Sequence, residues 1–224
     1  ALSPETIMFC ALSMIATYPN GGTIVSKENT LTSAYGNYNS KKKLFSFKKN
    51  VVLTNPQYVI NCDTLNYSSG SNTAFFAGPT TITSKGDRIY CESGWYNTDN
   101  DNAQFCKNAY VVTKQQKMKG DTILFDKLND IGKAFGHVAI IDSAQNIIVS
   151  GDKAVRMGKR ETSTVTGHAL LKQYHGDDTL FLHADTLRVV DEHPVSKKNK
   201  NIKDTSITWR VMYAYRKVKF FRTD

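Results

Sequence analysis

Residues 58–67 read Tyr-Val-Ile-Asn-Cys-Asp-Thr-Leu-Asn-Tyr, and the aromatic residue that ends this stretch recurs at a fixed step along the chain. The aromatic positions with this 29-residue step are Phe9, Tyr38, Tyr67, Tyr96 and Phe125. An acidic column keeps nearly the same step through Asp63, Glu92, Asp121, Asp152 and Asp185. Self-similarity at a fixed period is the signature of stacked repeats, so the pattern predicts a repeat protein.

Each unit of about 29 residues has the pattern of two strands joined by turns. One strand is predicted over residues 58–67 and the next over residues 73–83, with the polar turn Ser68–Asn72 between them. Asn, Ser and Gly supply the local hydrogen bonds and positive φ angles that such turns need. β-Branched and aromatic residues alternate with polar ones, while helical periodicity is missing. The repeat phase also favours a strand for the opening stretch 6–12, and the fold is predicted to be all-β.

Apolar columns run through the units and define the expected interior. Positions six residues apart in an extended strand lie on one face, so two columns of each unit point the same way. Between them stands a Lys or Gly at positions 49, 78, 107, 136 and 167, which indicates a bend or bulge. Stacked units therefore enclose continuous apolar stripes in a two-walled interior. The interior residues chosen as candidates are Phe47, Val51, Leu53, Phe76, Ile82, Phe105, Val111, Val138, Ile140, Val165 and Leu171.

The chain of 224 residues is interpreted as one domain, 1–224, with 29 basic against 20 acidic residues and a net charge of +9. This excess favours an anionic partner: nucleic acid, a phosphorylated lipid or a membrane surface. A charged, apolar-poor stretch, about 191–209, is predicted to be an insertion loop between strands. Nucleic-acid binding rests on charge alone, because the basic residues are dispersed and no binding module is recognisable. We therefore expect no nucleic-acid partner.

Cysteine, histidine and acidic residues are the side chains that could form a disulfide, a metal site or a catalytic site. Cys62 and Cys91 are one repeat apart, which suggests neighbouring rungs and allows a disulfide, but small buried free thiols are favoured. His137 and His168 share a column without the spacing of a metal site, so no metal is expected. The acidic column is predicted to lie at a solvated edge or to bond turns, because stacked like charges inside would be costly. No catalytic motif is recognisable, and no enzyme activity or cofactor is expected.

The repeats resemble the OstA/LptA family of periplasmic lipopolysaccharide-transport proteins, in its OstA-like, Bacteroidetes-type branch. The resemblance rests on the unit motifs and is clearest over residues 58–190. The motifs are Ala-Phe-Gly-His-Val (134–138), Gly-Asp-Lys-Ala (151–154), Val-Thr-Gly-His-Ala (165–169) and Ala-Asp-Thr-Leu (184–187). Lys at 49 and 107, where the family pattern has Gly, marks a divergent member.

The resemblance implies an open, twisted β-jellyroll whose two antiparallel sheets face each other and hold lipid A acyl chains in the apolar interior. It implies a periplasmic protein, peripheral to membranes, whose signal peptide has been removed. Its expected partners are lipopolysaccharide and either other transport proteins or further copies of itself, joined through edge strands 6–12 and 213–221. A structural or adhesive β-solenoid and the amino-terminal domain of a larger outer-membrane assembly protein remain alternatives.

Overall fold

The computed structural model describes residues 7–26, 28–114, 116–160, 162–192 and 209–223, and the side chains at 191, 192, 209 and 210 are not considered. Most of the predicted insertion loop therefore lies outside the described residues. The described chain forms strands and one 3₁₀ turn, Gly158–Arg160. The prediction of an all-β fold is confirmed. Within the described ranges, no helix has the length and apolar character needed to cross a bilayer.

The long strands begin and end close to the predicted bounds, and shorter strands lie at both ends of the chain. The strands are β1 (Met8–Cys10), β2 (Ile15–Tyr18), β3 (Gly22–Val25), β4 (Thr30–Ser33), β5 (Tyr35–Asn39), β6 (Leu44–Thr54), β7 (Val59–Ser68), β8 (Thr73–Ser84), β9 (Asp87–Asn97), β10 (Ala103–Val112), β11 (Gln116–Asp126), β12 (Ile131–Asp142), β13 (Ile147–Met157), β14 (Thr162–His175), β15 (Asp178–Glu192), β16 (Trp209–Tyr215) and β17 (Lys219–Thr223). The regular two-strand unit begins only at β6, because residues 7–39 form five short strands.

All strands join one antiparallel sheet whose ends do not meet. From β6 to β15 each strand pairs with the next in sequence. The strands at both ends are split in two. β4 and β5 pair with successive parts of β6, and β16 and β17 pair with successive parts of β15. Each of these pairs, β4 with β5 and β16 with β17, therefore corresponds to one long strand whose two halves have become separate strands.

Every long rung bends near its middle, where the pairing register shifts. Alternate strands carry residues with positive φ at this point, namely Lys49 and Asn50, Gly78, Lys107 and Asn108, Gly136 and His137, and Gly167 and His168. We call these the corner residues. The predicted bend at positions 49, 78, 107, 136 and 167 is confirmed. Positive φ at adjacent residues breaks the extended path, so the two halves of a rung enter different walls.

The corner divides the sheet into two walls. Wall A contains β3, β4 and β17 with the parts of the long strands paired to them, and wall B contains β2, β5 and β16 with their parts. Residues of both walls line the same cavities, so the walls face each other. The fold is the open, repeat-built β-jellyroll that the resemblance implied, with the two-walled interior that the columns predicted. Its core combines buried residues from both walls.

Candidate interior lipid site

The interior contains a chamber of about 400 Å³ near the amino-terminal end, which we call the N-terminal chamber. Wall A lines it with Ile24, Leu31, Leu53, Tyr58 and Ile60, and wall B with Phe45, Phe47, Leu65, Tyr67, Ala74, Phe76 and Tyr96. Ser26, Asn29 and Thr98 complete the lining. The volume falls within the range of about 300–1,000 Å³ that ligand pockets occupy. An apolar lining with a few polar groups suits a hydrocarbon chain attached to a polar group.

Tyrosine hydroxyls lie in the lining of this chamber. Tyr96 donates a hydrogen bond to the carboxylate of Asp101, and Tyr67 donates one to the side-chain oxygen of Asn72 over 3.2 Å. Burial raises the pKa of Tyr58 above its usual value, and the nearby charge of Asp101 raises it further. Burial also raises the pKa of Tyr96, with the bond to Asp101 acting in the same direction. Tyr58 and Tyr96 therefore remain neutral and offer hydroxyl groups without adding charge.

A second, smaller chamber of about 90 Å³, the C-terminal chamber, lies between the same walls further along the stack. Its apolar lining is Ile140, Ile147, Val149, Val165, Leu187, Val189 and Met212, and its polar lining is Gln116, Asp142, Gln145, Arg156 and Ser163. Gln116 Nε2 donates a hydrogen bond to Asp142 Oδ2 over 3.3 Å. Asp142 Oδ1 also accepts the backbone N–H groups of Ala144 and Gln145.

Packed side chains occupy the interior rows between the chambers. Phe105, Ile123, Ala134 and Val138 are each exposed to 3% or less of their surface. The Phe105 and Phe125 rings meet edge to face with their centroids 6.2 Å apart. The columns predicted one continuous trough, whereas the structure has two chambers with a packed segment between them. Ala134 and larger residues such as Phe105 and Ile123 together fill the interior here.

The candidate residues distribute over these regions. Phe47, Leu53 and Phe76 line the N-terminal chamber, and Ile140 and Val165 line the C-terminal chamber. The other candidates are buried in the core or packed against it: Val51, Ile82, Phe105, Val111, Val138 and Leu171. The N-terminal chamber is also lined by Tyr58, Tyr67, Tyr96 and Ile60, which are not among the predicted site residues. Tyr67 and Tyr96 belong to the 29-residue aromatic column, which therefore carried a signal for them.

One row of wall B runs along the mouth of both chambers, and we call it the rim row. Strand register places these residues side by side: Phe9, Ala16, Tyr38, Phe45, Tyr67, Ala74, Tyr96, Ala103, Phe125, Gly132, Arg156, Ser163, Val189 and Met212. Tyr38 and Phe45 stack with ring centroids 4.2 Å apart. The predicted aromatic column is therefore a real structural row up to Phe125.

The acidic column lies outside the interior, beside the corner residues of the next strand. Asn108 donates a hydrogen bond to Glu92 over 2.8 Å, and Lys217 lies 3.5 Å from Asp185. The other contacts are His137 Nδ1 with Asp121 at 2.8 Å and His168 Nδ1 with Asp152 at 2.9 Å. The predicted turn-bonding role is confirmed at these positions. No group of three potential metal ligands was found among the described residues.

The cysteines are free thiols in the structure. Cys62 and Cys91 are not on adjacent strands as the repeat spacing suggested, because Thr80 of β8 pairs with both and lies between them. A disulfide between them is therefore excluded by distance, since two strand spacings are about 9.6 Å. Burial raises the pKa of each thiol to about 12, with nearby charged groups adding to the effect.

Comparisons with known proteins agree with the sequence motifs. Residues 2–63 match the family described as OstA-like protein, which confirms the predicted resemblance. The matched segment is the amino-terminal part and not the stretch where the motifs were clearest. Among solved structures, LptH of Pseudomonas aeruginosa, described as the LptA-homologous periplasmic component of the lipopolysaccharide transport device, is similar with a TM-score of 0.46 and 13% identity. That similarity covers 50% of this chain and 93% of LptH. The comparison with curated proteins finds no match.

Proposed function

We propose that this protein is a non-enzymatic periplasmic carrier that binds lipopolysaccharide and passes it toward the outer membrane. In this role, lipid A acyl chains lie between the two walls. The observation that carries the proposal is the N-terminal chamber, an apolar space of about 400 Å³ between walls that do not close into a barrel. A lipid carrier needs such a space, whereas a purely structural solenoid would fill its interior with side chains.

The energetics of hydrocarbon transfer support this role. Each methylene removed from water contributes about 0.8 kcal/mol. A chain of ten buried methylenes would then gain about 8 kcal/mol before the costs of association are subtracted. Leu31, Ile60, Leu65 and Phe76 present the apolar surface that receives such a chain. The net charge of +9 favours the phosphates of the lipid A headgroup outside the chamber.

The two open ends of the sheet support transfer between molecules. Phe9 belongs to the rim row on the edge strand β1, yet it is 64% exposed. At the other end, Phe220 continues an interior row of wall A and is 65% exposed. Interior rows thus end in exposed aromatic side chains on β1 and β17, each of which pairs with a single strand among the described residues. We propose that edge strands 6–12 and 213–221 add the strands of a further copy or of another transport protein, which would extend the apolar interior.

Site-specific photocrosslinking in cells tests the proposal. A photoreactive phenylalanine at Phe76 lies in the N-terminal chamber, and one at Ile140 lies in the C-terminal chamber. Phe75 is the matched control because it precedes Phe76 on β8 and faces outward with 44% exposure. We expect lipopolysaccharide adducts at Phe76, weaker adducts at Ile140 and none at Phe75. Equal labelling at Phe75 and Phe76, or no adduct at either, would favour the structural solenoid.

A further inference from the structure

The outer face of wall A changes character along the stack. From β9 onward its outward side chains form two adjacent rows defined by strand register. One row is Tyr90, Tyr110, Lys119, Ala139, Ser150, Leu170, His183 and Lys219, and the other is Arg88, Val112, Lys117, Ile141, Ile148, Lys172, Phe181 and Phe221. We call these two rows the basic–aromatic face. They contain five Lys or Arg residues and no Asp or Glu.

Aromatic rings and lysines of this face contact each other. Tyr90 and Tyr110 stack at 5.2 Å, and the Lys117 ammonium lies 4.7 Å from the centre of the Tyr110 ring. At the other end, Phe181 and Phe221 stack at 4.8 Å, with the Lys172 ammonium 5.8 Å from the Phe181 ring. A cation held over a ring keeps its charge at the surface while its alkyl stem covers apolar area. The face is therefore both apolar and positively charged.

The same rows on the amino-terminal strands are uncharged. They continue through Thr81, Asn61, Val52 and Thr32, which lie next to one another across β8, β7, β6 and β4. In these rows the charge is thus confined to the strands from β9 onward, a distance of roughly 34 Å at the usual strand spacing. The change from uncharged to basic side chains occurs within one continuous wall, so the repeat geometry alone does not produce it.

Acidic residues lie beside this face on its corner side. Glu92, Asp121 and Asp152 follow the first row by two residues, and each is bonded to a corner residue of the next strand. Asp185 has the same position and pairs with Lys217, which lies between β16 and β17. Their contacts with Asn108, His137, His168 and Lys217 turn the carboxylates toward the corner. The five Lys and Arg side chains thus stand in the two rows, and the carboxylates stand beside them at the corner.

We infer that the basic–aromatic face docks on the surface of a bilayer that contains anionic phospholipids. A surface with five cations in two adjacent rows is complementary to a layer of phosphate groups, and each Lys or Arg near such a layer strengthens binding about fivefold. Tyr and Phe side chains suit the boundary between headgroups and acyl chains, where one end is apolar and the other wet. The interior chambers take no part in this contact, so the docking is independent of the proposed acyl-chain binding.

Vesicle flotation tests this inference with the full chain. The vesicles contain phosphatidylcholine with or without phosphatidylglycerol and no lipopolysaccharide, so binding to them does not report on acyl-chain transport. We expect the protein to float with vesicles that contain phosphatidylglycerol and to remain unbound with phosphatidylcholine alone. The double variant Lys117→Gln with Lys172→Gln is expected to bind about 25-fold more weakly.

The outer face of wall B offers a matched control. Lys153 lies 5.5 Å from the Phe135 ring, and Lys133 pairs in register with Val155 on the same face. Lys133→Gln with Lys153→Gln removes the same charge and one cation–aromatic contact, but we expect its vesicle binding to stay within twofold of the unchanged protein. Equal losses in the two double variants would overturn the inference, because net charge alone would explain binding. Binding to soluble anionic polysaccharide without binding to vesicles would also overturn it.

Discussion

The N-terminal and C-terminal chambers are formed by the same two walls, yet one is about 400 Å³ and the other about 90 Å³. The rim row shows the main chemical difference. Around the larger chamber it carries Tyr67 and Tyr96, whereas around the smaller one it carries Arg156 and Ser163. The hydrogen bond from Gln116 to Asp142 adds polar atoms to the smaller chamber. The comparison shows that two chambers between the same walls differ both in volume and in the chemistry of the rim row.

Thiol reactivity is the largest effect expected from this comparison. Cys62 lies on the same face of wall A as Ile60, which lines the N-terminal chamber, and burial raises the pKa of its thiol from the usual 9.0 to about 12. Because the thiolate is the reacting species, Cys62 is expected to react about 1,000-fold more slowly than a thiol of normal pKa. The measurement is the rate of an aromatic disulfide reagent with variants that retain only Cys62 or only the exposed Cys10. Similar rates for the two variants would mean that the interior around the Cys62 thiol is accessible to water.

The same pKa values predict how stability changes with pH. Cys62 and Cys91 are protonated in the folded protein up to about pH 12, while in the unfolded chain they ionise near pH 9.0. Their stabilising contribution is complete below pH 9.0 and is lost as the pH rises toward 12. The free energy of unfolding should therefore fall over this interval. The decline should be shallower in a variant with both cysteines replaced by Ala.

The packed segment between the chambers should be the most sensitive to truncation. Ile123 is fully buried there, so Ile123→Ala is expected to lower the free energy of unfolding by about 2–5 kcal/mol. Ile148→Ala is the matched control, because Ile148 is half-buried on the outer face of wall A, and it should cost about 1 kcal/mol. Urea unfolding of both variants measures the difference. Equal costs would show that the segment is not packed more tightly than the surface.

Filling one chamber at a time separates their roles in lipid binding. Ala74 and Ser163 occupy equivalent positions in the rim row, one beside each chamber. Ala74→Trp places a large ring in the N-terminal chamber and is expected to weaken lipid A binding at least tenfold. Ser163→Trp should weaken it less than threefold. Displacement of a fluorescent fatty acid measures both, and a reversed order would assign lipid binding to the C-terminal chamber.

Glycine substitutions test the corner that both chambers share. Gly167 has a φ of +73°, and a Cβ atom there would overlap the Asp152 carboxylate. Gly167→Ala is therefore expected to cost about 1–2 kcal/mol. Gly132 has no positive φ, and a Cβ atom would approach only the Phe125 ring, at 3.7 Å, so Gly132→Ala should be neutral or slightly stabilising. Thermal unfolding of the two variants would contradict this account of the corner if Gly132→Ala proved the more harmful.

The repeat made the strands and corners predictable from the sequence. A strand expected over 58–67 is observed as Val59–Ser68, and one expected over 73–83 as Thr73–Ser84. Turn residues and alternating apolar positions are local signals, so strands and turns can be predicted from them without knowledge of distant contacts. The bonding of Asp121 and Asp152 by corner histidines follows from the same periodicity.

The two chambers could not be predicted from the sequence. The columns show which side chains face the interior, but the free space depends on the separation of two walls that are far apart in sequence. Phe105 and Phe76 occupy the same column, yet Phe76 lines a chamber and Phe105 lies in the packed segment. The Cys62–Cys91 spacing was misleading for a related reason: a repeat of two antiparallel strands places equivalent residues two strands apart.

The most direct test of the central claim locates an acyl chain inside the protein. Methyl NMR spectra recorded with lipid A that carries a spin label near the end of one acyl chain would report which methyl groups the chain approaches. The account predicts strong broadening of the Leu31, Leu53 and Ile60 methyl signals in the N-terminal chamber, with little effect on Ile141 and Ile148 of the outer face. Broadening restricted to the outer face, or none at any of these methyl groups, would contradict acyl-chain binding between the walls.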